Sequence, residues 1–216
     1  MVQYSLKCSL KKFVLTAMAF AIMSVAFGQD KRYGIESVIL KKKYTHSENG
    51  VYGEETVFID DFGRKEYFET VANMRGQMIT AFVIIKNCFF YSFFGVHNNG
   101  NMQYSRQGTK TEMSKMEVLR TINFLNLSNE IKKEPQIEEK SSEMFLGKEC
   151  KRYDLIYTLQ GQSIETTVLI WQGLILKTTY YVSGNIMIEE VTEIQEDAVI
   201  AQEKFELPEG VYIAEK

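Results

Sequence analysis

Apolar and polar positions alternate with a period of two along most of the chain, so the sequence reads as strands. From Tyr33, residues Ile35, Ser37 and Ile39 alternate with Glu36, Val38 and Leu40. The run ends in a Thr-His-Ser-Glu-Asn-Gly stretch whose Asn49-Gly50 pair is a strong hairpin signal. The return run places Val51, Val57 and Ile59 on one face and Tyr52, Glu54 and Thr56 on the other. A turn at Asp60-Asp61-Phe62-Gly63 leads into a third alternating run, Arg64 to Val71. The simple reading is an antiparallel meander.

From Ile79 to Phe94 the pattern changes. Both faces become apolar, with one break at Lys86-Asn87, which predicts two strands that need cover on each side. A loop over Gly95–Gly100 and a short strand within Asn101–Arg106 follow. The spacing of Met113, Met116, Leu119, Ile122 and Leu125 then predicts a helix over Thr109–Leu125, opened by a capping box of Thr109 and Glu112. This helix is the natural cover for the two-faced strands. The charged stretch Asn129–Lys140, with Pro135, reads as a linker or a short helix ending before the proline.

Gly147 to Tyr181 predicts three sequential strands. Gly161-Gln162 and Gln172-Gly173 are the two-residue breaks, and Trp171 sits beside the second. Strand patterning continues through Ile186, Ile188 and Ile194, and Phe205–Tyr212 closes the domain.

Composition adds export. Lys7, Lys11 and Lys12 precede an uncharged apolar run, Phe13–Phe27, that is short for a membrane span and ends in Ala26-Phe27-Gly28. Residues 1–28 therefore read as a cleaved signal peptide. Residues 29–216 read as one domain, with Gln29 as the new N-terminus and no transmembrane segment after cleavage. The three lysines are the only charged side chains of the first 28 residues, so the remainder carries 22 basic and 28 acidic ones. That acidic balance argues against nucleic-acid binding. Lys41-Lys42-Lys43 reads as a solvated strand end. Cys88 and Cys150 remain after cleavage, either as a disulfide or as two buried thiols.

Catalytic chemistry finds no foothold. His46 and His97 are the only imidazoles, and each sits in a loop or turn setting without a partner in sequence. Glu54-Glu55 and Asp60-Asp61 are neighbours whose side chains point to opposite faces of a strand, so turn solvation explains them best. No metal-ligand spacing, phosphate loop or nucleophile motif occurs, so no cofactor and no enzyme activity are expected.

Three short motifs carry a resemblance. Gly147-Lys148-Glu149-Cys150-Lys151-Arg152-Tyr153, Trp171-Gln172-Gly173-Leu174-Ile175-Leu176-Lys177 and Phe205-Glu206-Leu207-Pro208-Glu209-Gly210 resemble those of exported bacterial proteins similar to the LolA/LolB-like lipoprotein-carrier superfamily. They cover about the last third of the chain. The resemblance implies a mainly β fold: a strongly curved, unclosed, half-barrel-like antiparallel sheet with one or two helices on its concave face. It also implies a periplasmic or secreted location in the bacterial envelope.

Two functions follow from this reading. One is a binding protein whose cavity, apolar and nearly free of charge, holds a lipid, acyl chain or other hydrophobic small molecule. Its expected wall is Phe82, Ile84, Phe90, Met113, Met116, Leu119, Ile122, Leu169 and Trp171. The other is an envelope structural or protein-interaction module with a fully packed interior. A void no larger than one side chain would favour the second.

Overall fold

A computed structural model describes residues 31–47, 50–74, 77–98, 101–112, 122–127, 136–159, 162–182 and 184–213. Residues 31–216 form one compact unit, separate from residues 1–30. The described residues of this unit form thirteen strands: β1 (Val38–His46), β2 (Gly50–Asp60), β3 (Lys65–Met74), β4 (Gln77–Lys86), β5 (Phe89–Asn98), β6 (Asn101–Tyr104), β7 (Gln107–Glu112), β8 (Gln136–Phe145), β9 (Lys148–Leu159), β10 (Gln162–Trp171), β11 (Leu174–Val182), β12 (Asn185–Glu196) and β13 (Tyr212–Ile213).

They form a single unclosed sheet in the order β13-β7-β5-β4-β3-β2-β1-β12-β11-β10-β9-β8, with β6 paired to β5. Every pairing is antiparallel except β13 against β7. The first half of the chain joins the second where β1 pairs with β12. Register shifts at Lys41/Lys42, Tyr44/Thr45, Lys140/Glu143 and Leu169/Ile170 bend the sheet at four places. Tight hairpins close where two successive residues take positive φ: Asn87-Cys88, Leu146-Gly147 and Gln172-Gly173. The last of these was legible from its glycine; Cys88 in the left-handed region was not.

One sheet face carries Val38, Leu40, Val57, Ile59 and Phe68, all buried, which lie opposite one another across β1, β2 and β3. The other face of β3–β5 carries Tyr67, Phe82, Ile84 and Phe93. This second face is covered by the C-terminal strap 198–211, which inserts Phe205 and Val211 among those aromatics. Phe82 stacks on Phe93 at 5.1 Å between ring centroids. Lys86 bonds Glu206 at 2.5 Å, and Lys204 lies over the Phe58 and Tyr67 rings at 4.7 and 4.8 Å, which fixes the strap.

Three expectations are corrected. Thr109 to Glu112 belong to strand β7, not to a helix, and Thr109 shares a hydrogen bond with Ser92 across the sheet (2.7 Å) in place of a capping box. Farther along, Phe124–Asn126 form a 3-10 turn, while 113–121 lie outside the described residues. Among the described residues the helical pieces are 3-10 turns only. The charged stretch before Gly147 is in part the edge strand β8, which tolerates Glu138, Glu139 and Lys140 because its side chains are almost all exposed. Finally, of the two alternatives for the cysteines neither holds as stated: both are free, Cys150 buried in the core but Cys88 exposed in the β4–β5 turn.

Candidate functional site

The candidate site is a partly open pocket of about 70 Å³. Leu40, Val57, Ile59 and Phe68 supply one apolar side, and Leu174 and Ile175 of β11 another. Two irregular segments complete it. The first, Arg32 to Glu36, is held by its backbone: Arg32 and Tyr33 N–H donate to Phe62 O, and Gly34 N–H donates to Gln172 O at 2.8 Å. Gly173 permits this approach, since a Cβ there would stand 2.6 Å from Arg32 O. The second segment brings Ile122 and Phe124. Asn123 holds it in place: its side-chain oxygen accepts from Leu125 and Asn126 N–H, and its amide donates to Lys31 O.

The walls are strongly polar at two points. Arg32 pairs with Glu66, whose side chain is almost fully buried, and Tyr33 donates to the same carboxylate oxygen at 3.3 Å. Lys42, one of the three consecutive lysines, also points inward. Its Nζ donates to Glu189 at 2.8 Å and lies 3.7 Å from Glu55, which in turn accepts from Thr70 at 2.9 Å. Alternation explains the split. Lys41 and Lys43 face the other side and pair with Glu193 and Glu190 (2.8 and 2.9 Å). The expected solvated strand end is therefore corrected, as is the solvated reading of Glu55. The expected wall of few charges differs from what is found: two cations and three carboxylates cluster in and beside this pocket.

Around the sheet, burial and neighbouring charges set the titration directions. Burial, then the Glu189 charge, pushes the Tyr52 phenol up. Burial, with Glu69 and Tyr104, does the same to Tyr67. For Cys150, burial and then Glu143 raise the thiol, which makes it a poor nucleophile. At Glu190 burial alone would raise the carboxyl, but the hydrogen bond and charge of Lys43, with those of Lys177, outweigh it and hold the group below its ordinary range. Among the described residues no group of three or more His, Cys, Asp or Glu side chains could hold a metal ion.

Of the residues expected to line a cavity, Ile122 does so. Phe82 and Ile84 lie on the opposite face, beneath the C-terminal strap. Phe90, Leu169 and Trp171 pack in the core cluster that includes Leu40 and Phe68, without facing the cavity. Met113, Met116 and Leu119 lie outside the described residues. Sequence reasoning missed Arg32, Lys42, Glu55, Glu66 and Glu189. For Lys42 and Glu55 the strand alternation itself was the available signal.

No protein-family model matches the chain, and no curated protein does. Solved structures do. The chain is similar to PNGF-II at 14% identity and a TM-score of 0.46, over 84% of this chain and 32% of that one, so it spans about a third of PNGF-II. It is similar to the lipoprotein LppX of Mycobacterium tuberculosis at 9% identity and a TM-score of 0.43, over 77% of this chain and 90% of LppX. A domain from Vibrio parahaemolyticus described as that of a putative outer membrane lipoprotein-sorting protein is similar at 10% identity and a TM-score of 0.36, over 81% and 91% of the two chains.

Proposed function

We propose that this chain is an exported, non-enzymatic module of the bacterial envelope that works through its surface, its interior filled by its own side chains. Export rests on the apolar run after Lys12 and on the Ala26-Phe27-Gly28 ending, which would leave Gln29 as the first residue. One observation carries the choice of an interaction module over a carrier. The pocket over Leu40, Val57 and Phe68 is about 70 Å³ among the described residues, against roughly 300–1,000 Å³ for pockets that enclose small organic ligands. An acyl chain would also have to pass Arg32–Glu66 and Lys42–Glu189, and separating either pair would strand a charge in an apolar interior.

A second reading, a carrier of a hydrophobic ligand, is supported by how the cavity is closed. Ile122 and Phe124 come from an irregular segment held by Asn123, and displacing it would uncover the apolar wall of Leu40, Val57 and Phe68. Native mass spectrometry of protein purified from its own envelope separates the two. The expected mass is that of the bare chain beginning at Gln29. One lipid retained per chain would establish the carrier instead, and a mass that includes residues 1–28 would contradict cleavage.

A further inference from the structure

The strap 198–211 sits on the sheet in the manner of a bound peptide. It leaves β12 through Asp197, a non-glycine residue held at positive φ (50°). Its backbone closes turns of its own: Lys204 N–H donates to Ala201 O, Glu206 N–H to Glu203 O and Val211 N–H to Pro208 O. Side chains attach it to the face of β3–β5. Backbone pairing with the sheet follows at Tyr212, whose N–H donates to Arg106 O, and in the two-residue β13, the one parallel pairing among the described strands. The strap can therefore lift from that face without unzipping an antiparallel ladder.

The face beneath it has the makeup of a groove for an extended segment. Tyr67, Phe82, Ile84 and Phe93 form the floor, each 6% exposed or less, and Phe205 fills the centre. Opposite charges flank that centre. Lys204 lies 3.7 Å from Glu69, and Lys86 donates to Glu206 at 2.5 Å. The strap order Lys204-Phe205-Glu206 thus meets an acid, an aromatic floor and a base. Tyr104 stands edge-on to Phe82 and Phe93 (5.4 and 5.9 Å) and is itself exposed, so one side of the floor reaches solvent. A floor this apolar does not stay open to water. Whatever displaces the strap must bring the same anchor and the same flanking charges.

We propose that this face is a docking groove for an extended segment of a partner protein, in which an aromatic residue is preceded by a basic and followed by an acidic one, and that the strap is its built-in competitor. The proposal rests on the interaction-module reading above and names the surface that such a module uses. The strap competes at the high local concentration of a tethered segment, so the groove accepts a partner when the strap is loosened.

The test uses the chain from Gln29 and a synthetic peptide of residues 198–213 carrying a fluorophore at its start. Phe205→Ala in the chain empties the centre of the groove. The peptide should bind that variant saturably, one to one, and about tenfold or more tighter than it binds the wild-type chain, whose own strap competes. Binding should also raise the unfolding temperature of the variant. A peptide carrying Phe205→Ala should bind about tenfold or more weakly, since the anchor is lost. A peptide with the charges exchanged, Lys204→Glu/Glu206→Lys, should bind about threefold or more weakly. Should Phe205→Ala keep the chain from folding, Lys204→Ala/Glu206→Ala loosens the strap at its outer clasps, leaves the core clusters whole and carries the same expectation. The proposal is overturned by absent saturable binding to the loosened chain, by equal binding to loosened and wild-type chains, or by equal binding of the parent peptide and either altered one. A bare native mass together with absent peptide binding would remove this proposal and leave the filled-interior reading intact.

Discussion

Lys42 is one of three consecutive lysines, yet its side chain is only 9% exposed and lies between two carboxylates, those of Glu55 and Glu189. Its neighbours Lys41 and Lys43 make the ordinary surface pairs that a lysine run is expected to make. The difference is one residue of strand phase. A surface pair contributes little, about 0–1 kcal/mol. Removing one partner of a buried group costs about 3–5 kcal/mol, because the remaining charge is left uncompensated. Lys42→Met should therefore lower the unfolding free energy by that amount, read as a lower urea midpoint at unchanged slope. Lys42→Met combined with Glu55→Gln and Glu189→Gln should regain most of the loss. A neutral Lys42→Met would show that these charges are solvated. The inward direction of Lys42 was readable from alternation with Leu40 and Val38. Its partner Glu189 was not, because β12 lies some 150 residues on and nothing local links the two strands.

At the scale of elements, hairpins were the most legible feature. Gln172-Gly173 and the break after Lys86 mark turns by their residue types, and the two-faced apolar run became β4 and β5. The cover that the strap 198–211 gives one face of those strands was not anticipated. The expected helix begins at Thr109, where strand β7 lies instead, and the same Thr/Glu spacing that caps a helix also fits alternate positions on a strand. The strap 198–211 has no period at all, so its covering role is visible only in the fold. Phe205 is 1% exposed within the aromatic cluster of Tyr67, Phe82 and Phe93. Phe205→Ala should cost about 3–5 kcal/mol by leaving a cavity there. Hydrogen exchange should then show lost protection at β4 and β5 before β10 and β11. Uniform loss across the sheet would mean that the strap is not a separate cover.

For the whole molecule, the proposal to be tested is that the pocket among the described residues is too small and too charged to hold an acyl chain. The C-terminal motifs were legible because they sit at hairpin turns and in the strap. The state of the interior was not, since it depends on which distant charges meet across β1, β2, β3 and β12. The most direct measurement is a titration of residues 31–216 with a fluorescent long-chain fatty acid below its micelle concentration, without vesicles. The account predicts no saturable signal at one probe per chain. Saturable one-to-one binding that unlabelled fatty acid displaces, and that Thr178→Phe at the cavity wall abolishes, would contradict it.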